Sequence, residues 1–294
     1  MTLRSFDRAQ DRQAQGRLRR LAVLGPPGTF SEEAALEYDP QAELISMASI
    51  TAVAAAVEAG IADEGIVPIE NSLEGSVPET LDVLVHSPQP LAVRSELVLA
   101  IAHNLLVKPG QKADRVKVVF SHPQALAQCR GFIERYFPKA TVAAALSTTA
   151  AVEEMMARDD AAAIGNRRAA ELYGVEILAQ SIQDRSPNLT RFVVLAAQDH
   201  PPTGDDKTSL ALTFAVEDRP GLLVAALEEF SRQSINLSKI ESRPSKERLG
   251  TYIFLVDVDG HRSDGLLAKA LDRVREKCSF FRVLGSYPRY RQAM

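Results

Sequence analysis

The stretch "IQDRSPNLTRFVVL" at 182–195 sets a hydroxyl and a guanidinium side by side, Thr190 and Arg191, between a polar turn and an apolar run that begins at Phe192. At the mouth of a strand, such a pair is placed to hold something anionic. Four other junctions carry short polar side chains. "GPPGTFSEEAA" supplies Thr29, Phe30 and Ser31, with Glu32 three residues after Thr29, the spacing of a capping box. "PIENSLEGSVPETLDVL" supplies Glu70, Asn71, Ser72 and Ser76. "SHPQALAQC" supplies Ser121, Gln124 and Gln128, and the two glutamines, four apart, share a helix face. "LSTTAAVEEMM" supplies Ser147, Thr148 and Thr149. Each alone is an ordinary helix cap. Taken together they say more, because ligands of open α/β sheets bind at the carboxyl ends of the strands. Helix N-termini there offer free N–H groups and positive dipole ends to an anion. With Arg191 as the one charge assigned to it, such a pocket suits a small polyanion, for example a dicarboxylate. "GPPGT" has neither the spacing nor the lysine of a phosphate-cradling loop.

The elements that must position these groups are legible as a pattern. "RLAVLG", "DEGIVPI", "VKVVF", "AAAIG" and "RFVVLAA" are strand-like, and most precede an Ala- and Glu-rich helical segment, which predicts an α/β region with mainly parallel strands. "DHPPTGDDKT" at 199–208 interrupts the periodicity with two prolines, a glycine and three acids, and reads as a linker. Beyond it the order is strand, helix, two strands, helix and strand, a ferredoxin-like βαββαβ unit at 209–290.

Composition narrows the function. The chain has 294 residues, 46% hydrophobic and 24% charged, with a net charge of −4, so nucleic acid and anionic membranes are poor partners. No apolar run approaches the roughly 18 residues of a membrane span. Residues 1–19 lack the apolar core of a secretory signal and read as a frayed or disordered extension. Cys129 and Cys278 fall in different regions and read as reduced thiols of a cytoplasmic protein. Five scattered histidines argue against a metal site.

"GPPGTFSEEAA", "VPIENSLEGSV", "SHPQALAQC", "STTAAVE", "AAIGN" and "NLTRF", in this order over residues 20–198, resemble the prephenate dehydratase family. The βαββαβ unit resembles an ACT regulatory domain, with "RPGLLVAAL" and "ESRP" similar to the family's phenylalanine-sensing motifs; Leu222 stands where the family's wording has alanine. The resemblance implies two periplasmic-binding-protein-like lobes around a cleft, no cofactor, and conversion of prephenate to phenylpyruvate with loss of carbon dioxide and water. It also implies a homodimer or homotetramer with L-phenylalanine as effector, held by Gly221, Leu222, Leu223, Val224, Asn236, Leu237, Glu241, Ser242, Arg243 and Pro244. Twenty residues are too few for the chorismate mutase domain that some members carry, so a monofunctional enzyme is expected.

Within that resemblance Thr190 is the donor to the departing hydroxyl. Arg191 either clamps the carboxylate that stays charged or holds the loop by a salt bridge. Glu70 is the candidate acid or an orienting group for Asn71 or Arg191, and Asn71, Gln124 and Gln128 are neutral donors. His122 is a second candidate acid, and Phe192 packs under the substrate ring. A site of hydroxyls and amides suits the chemistry, because tight charge pairing to the carboxylate that leaves would favour the ground state. Arogenate, with an amino group in place of the keto group, is the alternative substrate. A non-catalytic receptor for carboxylic or amino acids is the alternative of another class.

Overall fold

The computed structural model describes residues 18–87, 89, 91–214, 220–246 and 250–291; most of the expected N-terminal extension, 1–17, lies outside the described residues. Strands β1 (Arg20–Leu24), β2 (Glu43–Met47), β3 (Glu64–Asn71), β5 (Ala92–Ala100) and β11 (Leu189–Ala196) form one sheet in the order β2-β1-β3-β11-β5, with the short β4 (Gly75–Ser76) folded back on β3. Helices α1 (Phe30–Tyr38), α2 (Ile50–Glu58) and α3 (Pro78–His86) cover it. A second sheet, β10-β6-β9-β7-β8, is built from β6 (Asn104–Val107), β7 (Val118–Ser121), β8 (Thr141–Ala144), β9 (Ala161–Gly165) and β10 (Glu176–Ala179). Helices α4 (Pro123–Gln128), α5 (Arg130–Tyr136), α6 (Thr148–Met156) and α7 (Arg167–Tyr173) pack on it. The chain passes between these lobes twice, through residues 101–103 and 180–188. β11 therefore re-enters the first lobe from the second. It runs antiparallel to both β3 and β5, as β6 does to β9 and β10, so the mainly parallel pairing expected of this region holds for β1 with β2 and β3 and for β7 with β8 and β9.

The local chemistry explains the helix starts. Thr29, Ser49, Ser147 and Asn166 each accept a backbone N–H of the first turn through the side chain, at α1, α2, α6 and α7. Pro78 and Pro123 open α3 and α4, where the missing N–H leaves no hydrogen bond unmade.

The third sheet, β13-β14-β12-β15, contains β12 (Asp206–Thr213), β13 (Leu237–Pro244), β14 (Tyr252–Asp259) and β15 (Phe280–Pro288), with α8 (Leu222–Arg232) and α9 (Gly265–Lys277) on one face. This is the βαββαβ order read from the sequence. Its other face lies on the first lobe. Leu210, Leu212, Val256 and Val258 pack under α8 and α9, whereas Ala211, Ile253, Leu255, Leu284 and Tyr287 share one apolar cluster with Leu84, Val85, Leu91 and Val93 of the first lobe. Each fully buried leucine, isoleucine or valine among them contributes about 1.5–3 kcal/mol. Gly285 marks the closest approach: a Cβ there would lie 2.1 Å from the Val93 carbonyl oxygen.

This packing revises the linker reading. β12 begins at Asp206, so the last three residues of 199–208 are strand. Asp199 is buried; it pairs with Arg262 at 2.8 Å and accepts the Ser286 N–H at 3.0 Å. The segment is a packed corner, because its acids find partners on the sheet it leads into.

Candidate active site

Strand alternation decides which groups meet in the cleft. Directly opposed residues of neighbouring strands share a face, and β11 opposes Thr190 to Asn71 and Arg191 to Glu70. Thr190, Phe192 and Val194 therefore look toward the α1 side, and Arg191, Val193 and Leu195 toward α2 and α3. The two sets accordingly fall in separate core clusters, Phe192 and Val194 in one, Val193 and Leu195 in the other.

On the cleft side a run of amide side chains closes with one direction of donation. Asn71 Oδ1 accepts the backbone N–H groups of Leu73 and Glu74 at 2.9 and 3.1 Å. Its Nδ2 then donates to Asn188 Oδ1 at 2.8 Å and to Thr190 Oγ1 at 2.9 Å. Asn188 Nδ2 donates to Gln128 Oε1 at 2.9 Å, and His103 Nε2 lies 2.9 Å from the same oxygen. Gln128 Nε2 donates to Glu74 Oε1 at 3.1 Å. With Gln128 Oε1 as acceptor, His103 must carry its proton on Nε2. Burial lowers the His103 pKa and the Gln128 hydrogen bond opposes this in part, so the imidazole is neutral. The Phe30 ring meets it edge-on at 5.7 Å. Thr190 Oγ1 is an acceptor toward Asn71, which leaves its own hydrogen to donate. The site combines Asn71 and Thr190 of the first lobe, Gln128 of the second, and His103 and Asn188 of the two crossings.

The N-termini of α1 and α6 come together at this cleft. Thr29 caps α1, its hydroxyl accepting the Glu32 N–H and donating to the Leu24 carbonyl at 3.1 Å; Ser147 caps α6 by accepting the Ala150 N–H at 2.9 Å. Gly28, with φ +82°, makes the turn before α1, and a Cβ there would lie 3.4 Å from Thr149 Oγ1 and Ala169 Cα of the second lobe. That positive φ favours glycine. Glu32 accepts the Gly28 N–H and pairs with Arg168 at 2.9 Å, while Asn166 Nδ2 donates to Glu33 at 3.1 Å, tying the lobes at their rim. Ser72 Oγ accepts the Leu189 N–H at 2.9 Å, Ser31 is buried on α1, and Thr148 is half-buried at the start of α6.

Several expected site residues lie elsewhere. Arg191 turns away from the cleft into a buried ion cluster, with Asp257 at 2.9 Å, Glu70 at 3.0 Å and Glu96 at 3.2 Å. Burial alone would lower its pKa; Asp257, Tyr287, Glu96 and Glu70 outweigh this and hold it above the ordinary value. Of its two expected roles the salt bridge is the one present. Glu70 is not placed as an acid: it sits on the same far face and also pairs with Lys239 at 3.1 Å. The carboxylate that reaches the polar run is Glu74, four residues on in the same stretch. Ser121 is buried with its hydroxyl donated to the Ile164 carbonyl at 2.9 Å, and Phe192, 2% exposed, is core. Thr149 is fully buried. Gln124 is exposed, and His122 is engaged as the cap of α4, its Nδ1 accepting the Gln124 N–H at 3.3 Å. His103, Asn188 and Glu74 were not singled out. Asn188 and Glu74 stand inside quoted stretches; His103, in "IAHNLL", gave no local signal.

The third sheet divides the expected effector residues in the same way. Opposite Ile253, Leu255 and Asp257 of β14 stand Arg243, Glu241 and Lys239, all turned toward the first lobe. Glu241 pairs with Lys239 at 3.2 Å and accepts the Ser76 hydroxyl, and Arg243 pairs with Asp82 at 2.6 Å. Glu241 and Arg243 thus tie the third sheet to the first lobe. Ser242, Pro244, Gly221 and Val224 are exposed, Leu222, Leu223 and Leu237 half-buried, and Asn236 donates to Asp259 at 3.3 Å. Among the described residues no group of three or more His, Cys, Asp or Glu side chains is arranged to hold a metal ion.

Residues 21–200 match the family described as prephenate dehydratase, and residues 211–276 match the ACT domain. A bifunctional chorismate mutase/prephenate dehydratase of Aquifex aeolicus is 43% identical over 271 residues, covering 92% of this chain and 74% of that protein. A prephenate dehydratase of Mycobacterium sp. (strain JLS) is 39% identical over 283 residues, covering 92% and 89%. The crystal structure of prephenate dehydratase from Arthrobacter aurescens in complex with L-Phe superimposes with a TM-score of 0.82 at 35% identity, over 92% of this chain and 90% of that one. On both family matches and these relatives, this chain belongs to the prephenate dehydratase family and carries a C-terminal ACT domain.

Proposed function

We propose that this protein converts prephenate to phenylpyruvate, carbon dioxide and water. One proton is consumed: the ring C–O bond and the bond to the ring carboxylate both break, and the electron pair left by carbon dioxide completes the aromatic ring as water departs. The observation that carries the reading is the direction of the amide run, which leaves the Thr190 hydroxyl with its hydrogen free. A donor held at the oxygen that develops charge is what a leaving hydroxyl requires. The N-termini of α1 and α6 suit the carboxylate that persists, since aligned N–H groups hold an anion without a formal charge. Aromatisation drives the reaction, so the residues need supply only position and hydrogen bonds.

L-Phenylalanine is the effector in this proposal, bound between ACT domains of two copies. β13 is an edge of its sheet, and Ile240 on it and Tyr252 on the neighbouring β14 are exposed, which fits pairing with a second copy in a homodimer or a dimer of dimers. A cytoplasmic setting fits the two free cysteines. Offering the purified chain prephenate and arogenate separately tests the reading. Phenylpyruvate from prephenate is expected. Turnover of arogenate alone would reassign the substrate, and turnover of neither would remove the activity.

A further inference from the structure

We propose that His103 is a positioning residue, which as the neutral Nε2–H tautomer fixes the Gln128 carboxamide so that its Nε2 hydrogens serve Glu74 and a ligand in the cleft. The geometry points there by elimination. Gln128 Oε1 accepts from both Asn188 Nδ2 and His103 Nε2, so the amide has one orientation that satisfies its neighbours. A flipped amide would set its NH₂ against the Asn188 NH₂ and its oxygen against the Glu74 carboxylate, which costs both hydrogen bonds. His103 is itself held from behind: its backbone N–H donates to Gln183 Oε1 at 3.0 Å, and the residue is 4% exposed, its ring in T-shaped contact with Phe30. Nδ1 is buried with no partner among the described residues, so a second proton there would be an unsatisfied donor. Glu74, the carboxylate of this network, stands on the far side of Gln128, where it meets the amide and not the ring.

His103 also lies on the 101–103 crossing, and Gln128 on the second lobe. The pair therefore ties the orientation of a cleft donor to the relative placement of the lobes. A shift of about 1 Å in such a donor can cost roughly 10²-fold in rate.

Two measurements on the full chain test this, and only the kinetic one rests on the dehydratase reading. In ¹⁵N-histidine NMR the His103 ring is expected to show a protonated Nε2 and a bare Nδ1, unchanged as pH passes the ordinary imidazole value of 6.5. A protonated Nδ1, or titration at that value, would overturn the proposal whatever the activity. In kinetics, His103→Leu is expected to lower kcat by roughly 10²-fold with KM little changed, and His103→Gln, whose amide reaches the same acceptor, to recover most of it. Wild-type kcat in the leucine variant would show that Gln128 needs no support. A glutamine variant as slow as the leucine one, at matched melting temperature, would mean the ring itself handles a proton. If the wild type turns over neither substrate, the dehydratase reading fails and the tautomer measurement still decides this one.

Discussion

Replacing Arg191 with methionine tests the far face of β11. The buried ion cluster is balanced: Arg191 and Lys207 face Glu96 and Asp257, whose side chains are 2% and 8% exposed. Lys207 holds Glu96 through both oxygens, at 2.9 and 3.1 Å, so Glu96 keeps a cation when Arg191 is lost. Asp257 does not; it retains the Ser209 hydroxyl at 2.6 Å and no countercharge from this cluster. Leaving one buried carboxylate unpaired costs about 3–5 kcal/mol. Glu70, 37% exposed and still paired with Lys239, adds at most about 1 kcal/mol. For a chain of this size the melting temperature should fall by roughly 10 °C. The assay is thermal melting of Arg191→Met, Asp257→Asn and the double variant. Removing the orphaned charge should return a large part of the loss in the double variant, a coupling well above the few tenths of a kcal/mol expected of independent sites. KM for prephenate, measured well below the melting range, should change little. Wild-type melting with a KM raised tenfold or more would refute the strand-face argument and put the guanidinium on the substrate.

Four other perturbations follow from the same geometry. Thr190→Val should lower kcat by roughly 10²–10³-fold at an unchanged melting temperature, since it removes the free donor and little volume; turnover near wild type would exclude the hydroxyl from the reaction. Glu70→Gln should keep kcat within about twofold, its ion pairs being half-exposed, and a collapse of kcat would restore it as the acid. Because burial depresses the His103 pKa, the stability from its neutral form is present above the unfolded value of 6.5 and is lost as pH falls below it; melting curves of His103→Gln should be flatter across that range than those of the wild type. Ending the chain at residue 200 should lower the melting temperature and promote aggregation by uncovering Leu84, Val85, Leu91 and Val93; an unchanged melting temperature would show that the two regions fold independently.

The sequence alone determined what depends on neighbours along the chain. Caps at Thr29 and Ser147, the proline at the start of α4, and the short apolar runs of β3, β9 and β11 are local, and so was the βαββαβ order of the ACT region. Thr190, Asn71 and Gln128 were singled out because six short stretches in order resembled one family, each junction taken alone being an ordinary cap. The tertiary structure decided which face each residue takes. Thr190 and Arg191 are adjacent in sequence, yet a strand's alternation sends one to the cleft and the other into a charge cluster whose carboxylates come from positions 96 and 257. Nothing within reach of Arg191 along the chain announces those partners. Glu70 against Glu74 was lost for the same reason, since the β3–β4 turn between them reverses direction and only the second reaches Gln128. His103 had no motif to mark it. Its part comes from a crossing between lobes that brings residue 103 beside residue 128, and that proximity is set by how two sheets pack.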